Sequence, residues 1–116
     1  MKIREVVWLS VLMAPIGEPP AHAVSIYNPG TESCGSWTSG QPEMVKGLKV
    51  AWLLGFVSGY NSYRPGEDVT SDPHGLVGWV DNYCIAHPLD LIVKAASRLI
   101  DELRRQRSLP PTMRPD

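Results

Sequence analysis

The chain has 116 residues, of which 43% are hydrophobic and 20% are charged, and its formal net charge is −1 at pH 7. This size allows a single domain with one core. A charge so close to zero gives no electrostatic reason to expect nucleic acid or an anionic membrane surface as a partner.

The first 23 residues have the pattern of a secretory signal peptide. Lys2 and Arg4 precede an apolar run over 6–16, and the small-residue segment Ala21-His22-Ala23 follows. A charged start, an apolar run and a cleavage site of this kind make up such a peptide. The run is shorter than the roughly 20 apolar residues that a membrane helix needs. We therefore expect residues 1–23 to direct export to the periplasm and to leave a mature chain without a membrane anchor.

The sequence contains two cysteines, Cys34 and Cys84. Thiols oxidise in an exported protein, so an even number of cysteines usually means a disulfide. The chain has no C-x-x-C pair, the arrangement that lowers a thiol pKa for redox catalysis. We predict a structural Cys34–Cys84 disulfide that closes most of the domain.

Residues 24–41 are rich in glycine, serine, threonine, asparagine and proline and show no apolar period. This composition predicts an extended N-terminal arm, which carries Cys34 and Trp37 and is tied down by the disulfide. We expect Trp37 to cover the disulfide or the helix beneath it. A ligand-stacking role for this aromatic ring is the alternative.

The predicted helical domain spans 42–107, and its first helix covers about 43–63. Apolar and small residues recur there every three or four positions, whereas Lys46 and Lys49 fall off that stripe. The predicted buried face consists of Val45, Leu48, Trp52, Gly55, Phe56 and Gly59. Gly55 and Gly59 have a small-xxx-small spacing, so we expect a neighbouring helix or aromatic ring to pack closely over them.

A second helix is predicted over about 73–86. Asp72 is a favourable N-cap residue, and Pro73 suits the first helical position. The spacing of apolar residues in this helix directs the second cysteine toward the core. The residues on that face are Leu76, Val80 and Tyr83 or Cys84, with Val77 alongside.

The stretch 79–88 concentrates aromatic side chains, a cysteine and a helix stop, and we interpret it as the structural hub of the fold. The other residues of this hub are Trp79, Asp81, Asn82, Tyr83, His87 and Pro88. We expect Asp81 and Asn82 to bind backbone groups or solvent near the disulfide. The pair His87-Pro88 ends the helix because a residue that precedes proline is disfavoured in the α conformation.

A third long helix is predicted from about Pro88 to Arg104. Its predicted buried face consists of Leu89, Ile92, Ala96, Leu99 and Leu103. The basic residues from Arg104 onward suit a solvated helix end, and the three prolines within 108–116 predict a disordered tail. Because no strand-like alternation occurs, we predict an all-α fold of three to four helices closed by one disulfide.

The polar residues form no recognisable catalytic or metal-binding motif. The spacing of Asp72, His74, Asp81 and His87 matches neither H-x-x-x-H nor H-E-x-x-H. Ser58 and Ser62 lie in a predicted helix without a nucleophile elbow. We therefore expect no enzymatic activity, no metal and no cofactor.

The chain combines a signal peptide, an early Cys34, a long helix with Gly55-Phe56 in its second half, and Asp72-x-x-Gly75 opening a helix with Cys84 near its end. This order resembles the HdeA/HdeB family of periplasmic acid-stress chaperones. The resemblance implies an HdeA-like fold, a homodimer at neutral pH, and an acid-opened form that binds unfolded clients through apolar surface. Acid opening is physically permitted, because protonated carboxylates leave the cations of the chain unbalanced.

A second resemblance concerns the helix, His-Pro, helix pattern that runs from Trp79 through His87-Pro88 to Leu103. This pattern is similar to the C-terminal half of certain type VI secretion immunity proteins. It implies a periplasmic protein that binds one secreted toxic enzyme. The two resemblances thus imply protein partners, either unfolded clients or one cognate enzyme.

Overall fold

The structure is a computed structural model that describes residues 24–112 of the chain. In that range it contains four helices: α1 (Cys34–Thr38), α2 (Glu43–Tyr63), α3 (Pro73–Ala86) and α4 (Ile92–Gln106). The prediction of an all-α fold is confirmed, and α2 and α3 have the predicted bounds. The predicted signal peptide and residues 113–116 of the predicted tail lie outside the described residues.

Local capping interactions explain both ends of α3. The Asp72 side chain accepts a hydrogen bond from the His74 backbone N–H at 2.8 Å, and Pro73 occupies the first turn, where no amide donor is needed. At the other end the His87 N–H bonds to the Tyr83 carbonyl, and Pro88 follows. The predicted start and stop of this helix are therefore confirmed.

The predicted start of the last helix near Pro88 is wrong, because α4 begins four residues later. The backbone carbonyls of Pro88 and Asp90 instead accept hydrogen bonds from Gly35 and Cys34, at 2.9 and 2.7 Å. Since these groups bind the arm, the segment between α3 and α4 forms a non-helical turn. Leu89, predicted to be buried, is 92% exposed on this turn.

The N-terminal arm contains a short helix that the sequence did not predict. Ser33 caps α1 by accepting a hydrogen bond from the Ser36 N–H at 3.3 Å. Both Cys34 and Trp37 are fully buried. The predicted disulfide between Cys34 and Cys84 is confirmed, and it joins α1 to α3 across a sequence separation of 50 residues.

The core lies between α1, α3, α4 and one face of α2. Its largest fully buried side chains include Trp37, Leu53, Val69, Val80, Ile92 and Leu99. The fully buried residues of α2 are Lys49, Leu53 and Val57. Of the predicted stripe, Trp52 and Phe56 are half-buried and pack against the core, whereas Val45 and Leu48 are exposed, so the predicted burial is wrong for these two. Two adjacent faces of this helix fit the apolar period. The face that carries Lys49 packs against the core.

Residues 108–112 are ordered against α4, although the sequence predicted disorder there. Ser108 adopts a φ of 62°, a conformation typical of helix ends. The Leu109 N–H then bonds to the Arg104 carbonyl at 2.8 Å, and the Thr112 N–H bonds to the Asp101 carboxylate at 2.7 Å. The open carbonyls at the end of α4 therefore bind the chain that follows.

Candidate functional site

The predicted stripe of α2 forms a partly exposed apolar surface, which we call the outer face of α2. It consists of Val45, Leu48, Trp52, Gly55, Phe56 and Gly59. Leu48 is 65% exposed, and Val45 is also exposed. The half-buried rings of Trp52 and Phe56 lie 5.3 Å apart between their centroids. Apolar surface of this kind, contiguous along a helix, is typical of a protein-binding site.

No helix or ring packs over the two glycines of the outer face. A Cβ atom built at Gly55 or Gly59 would meet nothing within 4 Å. The predicted close packing at this pair is therefore wrong. Both glycines instead border a cleft of about 390 Å³ between α2 and α4, with Tyr60 and Ile100 on its walls.

A second cleft, of about 550 Å³, lies between the arm and the first half of α2. Leu48 and Trp52 supply apolar walls, and Glu32 and Lys49 lie at its charged side. At Gly30 the backbone of the arm lies close to the Trp52 ring, and a Cβ atom built there would lie 2.5 Å from Trp52 Cζ2. The arm and the indole are thus packed tightly, and the cleft opens beside them.

Lys49 is a buried cation that joins α2 to the arm. It is only 6% exposed, and its Nζ donates to the Ser36 carbonyl at 2.8 Å. The same nitrogen lies 3.3 Å from Glu32 Oε1. The apolar pattern of the sequence did not reveal this role, because Lys49 lies off the predicted stripe. The available signal was its spacing of four and eight residues from Leu53 and Val57.

Arg104 is a second buried cation, and it joins α4 to the loop between α2 and α3. It is 4% exposed, donates to Glu67 Oε1 at 2.6 Å, and also bonds to the hydroxyl of Tyr60 and the carbonyl of Pro110. These bonds lower the pKa of the Glu67 carboxyl and raise that of the Arg104 guanidinium. The sequence predicted a solvated helix end at Arg104, which is wrong. Its partner lies 37 residues away, and no local pattern identifies it.

Asp81 binds two side chains, which the prediction of backbone or solvent contacts did not include. Its Oδ1 accepts a hydrogen bond from Trp37 Nε1 at 2.6 Å and lies 3.3 Å from Lys46 Nζ. The same ammonium group lies 4.5 Å from the centroid of the Trp37 ring. Asn82, its neighbour in the predicted hub, is exposed. Asp81 thus fixes α1 through Trp37 and α2 through Lys46.

The aromatic residues of the predicted hub form a stack along α3. The Trp79 and Tyr83 centroids lie 5.5 Å apart, and those of Tyr83 and His87 lie 4.3 Å apart. The Tyr83 hydroxyl donates to Asp90 at 2.6 Å. Burial and this acidic partner raise the pKa of Tyr83 to about 12. The stack therefore braces the turn between α3 and α4.

Residues 24–112 contain no cluster of three or more histidine, cysteine or acidic side chains that could hold a metal ion. None of the helices in this range is long and apolar enough to cross a membrane. Comparisons of the chain with protein-family models, with curated proteins and with solved structures give no match. A proposal about function therefore rests on the exposed apolar surface of α2 and on the buried ion pairs.

Proposed function

We propose that this chain is an exported, non-enzymatic protein of the HdeA-like kind, which acts in the periplasm as an acid-stress chaperone for unfolded clients. The observation that carries the proposal is the presence of two almost fully buried cations, Lys49 and Arg104. Each is paired with a half-exposed carboxylate on another segment, Glu32 or Glu67. The Arg104–Glu67 pair is sensitive to acid, because a carboxyl that is protonated no longer pairs with a cation.

The sign of the effect follows from the Glu67 carboxyl, whose pKa is lower in the folded chain than in the unfolded one. Such a group stabilises the folded state above the unfolded pKa, and this stabilisation is lost as the pH falls through the folded pKa. Protonation of Glu67 leaves the Arg104 guanidinium buried beside a neutral partner. A buried charge without its counterion strongly disfavours the closed state.

Loss of the two ion pairs would separate specific parts of the fold. Lys49 and Glu32 connect α2 to the arm, and Arg104 and Glu67 connect α4 to the loop after α2. The Cys34–Cys84 disulfide keeps α1 on α3 throughout. Acid thus loosens α2 and α4 within a domain that stays cross-linked, and the exposed core residues join the outer face of α2 as apolar surface for clients.

A client-protection assay tests this proposal. The mature protein is mixed with an unrelated acid-labile client at pH 2–3, and light scattering reports client aggregation. We expect the mature protein to keep the client soluble, and we expect a Leu76→Asn variant, which replaces an apolar core side chain with a polar one, to protect it less at equal concentration. If the mature protein leaves client aggregation unchanged at every molar ratio, the chaperone proposal is wrong.

A second candidate function is that of an immunity or inhibitor protein for one secreted toxic enzyme. The cleft of about 550 Å³ beside Trp52 is present in the closed domain, so a folded partner can insert a side chain there at neutral pH. A pull-down from periplasm at neutral pH tests this candidate. Recovery of one stoichiometric hydrolase, inhibited by the purified chain and encoded by a neighbouring gene, favours the inhibitor role over the chaperone.

A further inference from the structure

We propose that the cleft between α3 and α4 binds an extended, proline-containing segment of a partner protein, and that residues 109–112 of the chain itself occupy part of this site in the closed domain. The cleft, which we call the α3–α4 groove, has a volume of about 380 Å³. It is lined by Trp79 and Tyr83 of α3 and by Leu109 and Pro111 of the 109–112 segment. The groove is separate from the outer face of α2 and from the cleft beside the arm. Binding there uses the closed domain and does not require chaperone activity.

The groove holds its own segment mainly through the backbone. The Leu109 N–H donates to the Arg104 carbonyl at 2.8 Å. The Arg104 Nε donates in turn to the Pro110 carbonyl at 2.6 Å. At the far end the Thr112 N–H donates to Asp101 Oδ1 at 2.7 Å. A partner segment with the same backbone conformation can make each of these bonds, because they involve no side chain that is particular to this chain apart from those of the groove.

Two consecutive prolines suit the part of the segment between these anchors. Proline has no N–H, so Pro110 and Pro111 bring no donor between the bonded amides of Leu109 and Thr112. Leu109 and Pro110 each precede a proline, and this position favours extended backbone. Such a segment loses little conformational freedom when it binds. The groove therefore favours a pair of prolines at its centre.

The segment leaves much of the groove unfilled, which favours a larger occupant supplied by another protein. The rings of Trp79 and Tyr83 are half-buried and stacked, with centroids 5.5 Å apart. Aromatic side chains of this kind line the grooves in which proline-rich segments dock. A segment with a larger apolar side chain at the position of Leu109 would fill more of the 380 Å³ and bury more of the two rings.

The polar groups of the groove define the rest of the occupant. The Thr112 hydroxyl also donates to Asp101 Oδ1, at 2.8 Å, so a threonine or serine is favoured after the prolines. Asp101 Oδ2 is buried and has no hydrogen-bond partner among the described residues, so it can accept a further donor. Arg98, Glu102 and Arg105 also line the groove, and together with Asp101 they carry no net charge. The expected occupant is therefore an uncharged segment with a large apolar residue, two prolines and a hydroxyl residue.

A peptide titration followed by NMR tests the proposal. The probe is the synthetic peptide Ser-Phe-Pro-Pro-Thr, added to the ¹⁵N-labelled mature chain at neutral pH while the indole N–H signal of Trp79 is recorded. A Pro110→Gly/Pro111→Gly variant releases the chain's own segment, because glycine removes the restriction of its backbone. We expect the peptide to bind this released variant about tenfold or more tightly than the unmodified protein, in which the tethered segment competes. Circular dichroism and thermal unfolding confirm that the variant stays folded.

Two comparisons test the chemistry of the groove in the released variant. A peptide with Ala-Ala in place of Pro-Pro should have a Kd about threefold or more higher, because it is less preorganised. Asp101→Ala should raise the Kd of the original peptide by about fivefold or more, whereas Glu43→Ala, at an exposed position of α2, should leave it unchanged. The proposal is overturned by a Trp79 signal that does not move at millimolar peptide. Equal Kd values for the released and unmodified proteins, or for the two peptides, also overturn it.

Discussion

The Arg104 guanidinium and the Glu67 carboxylate lie 2.6 Å apart, and this pair joins the last helix to the loop between α2 and α3. The two partners differ in exposure: Arg104 is almost fully buried, whereas the Glu67 side chain is 38% exposed. Acid can therefore protonate Glu67 while the domain is still closed. The cation left behind has little access to water, and this asymmetry makes the pair sensitive to pH.

The first prediction concerns Glu67→Gln. Because the folded-state pKa of Glu67 is lowered, the unmodified protein loses stability as the pH falls below about 4.5. The variant lacks this titrating group, so we expect lower stability at neutral pH and a flatter decline in acid. Urea unfolding between pH 3 and 7 measures both effects.

Asp68→Asn is the control for this experiment. Asp68 lies next to Glu67 in the chain, but its ion pair with Arg107 is exposed and has a longer separation of 3.6 Å. Replacement of such a residue should change the free energy of unfolding by less than about 1 kcal/mol. A Glu67→Gln variant with the same pH dependence as the unmodified protein would show that Glu67 does not control Arg104.

The second prediction compares the two partners of the other buried pair. Glu32→Gln leaves the Lys49 ammonium buried without a carboxylate, and we expect the free energy of unfolding to fall by about 1–2 kcal/mol. Lys49→Met keeps the volume of the side chain and removes the charge, so its effect should stay within about 1 kcal/mol. Urea unfolding at neutral pH compares them, and a larger loss in Lys49→Met than in Glu32→Gln contradicts the assignment.

The third prediction concerns Gly30, which the arm needs in order to approach Trp52. An alanine Cβ would lie 2.5 Å from Trp52 Cζ2 and 2.7 Å from Ile26 Cγ2, so the ring or the arm must shift. We expect Gly30→Ala to reduce the free energy of unfolding by about 1–3 kcal/mol. Gly47→Ala on α2 meets open space and should stabilise the protein by up to about 1 kcal/mol. Equal effects of the two substitutions in thermal unfolding would argue against this packing.

The fourth prediction concerns the disulfide, which closes a loop of 50 residues. In the chain-entropy model, removing it by replacing Cys34 and Cys84 with alanine lowers the free energy of unfolding by about 4 kcal/mol. Urea unfolding of the double variant measures this loss. Intact mass after alkylation without reductant should show no free thiol in the periplasmic protein, and labelling of both cysteines would contradict the disulfide.

Local signals allowed the sequence to predict the bounds of α2 and α3. Asp72-Pro73 and His87-Pro88 restrict the backbone at the positions where α3 starts and stops, so these limits do not depend on tertiary structure. The disulfide followed from the number of cysteines in a chain expected to be exported. The start of α4 was predicted wrongly because the turn before it binds Cys34 and Gly35, which lie more than 50 residues earlier.

The candidate site was less predictable because it depends on which face of α2 meets the core. The helix is apolar on two adjacent faces, and its period alone does not distinguish them. Burial of Lys49 becomes favourable when Glu32 and Ser36 surround its ammonium group, and these residues belong to the arm. The environments of Lys49 and Arg104 are therefore tertiary features, and the outer face of α2 could not be recognised as exposed from the sequence.

The central claim is that the two buried cations open the domain in acid. Its most direct test is the binding of a fluorescent apolar dye as the pH falls from 7 to 2, in the unmodified protein and in a Lys49→Met/Arg104→Met double variant. We expect dye fluorescence of the unmodified protein to rise steeply at about pH 2–3 while helical circular dichroism partly persists. The double variant should remain closed to a lower pH. An unmodified protein that stays closed at pH 2, or a double variant that opens at the same pH, would contradict the account.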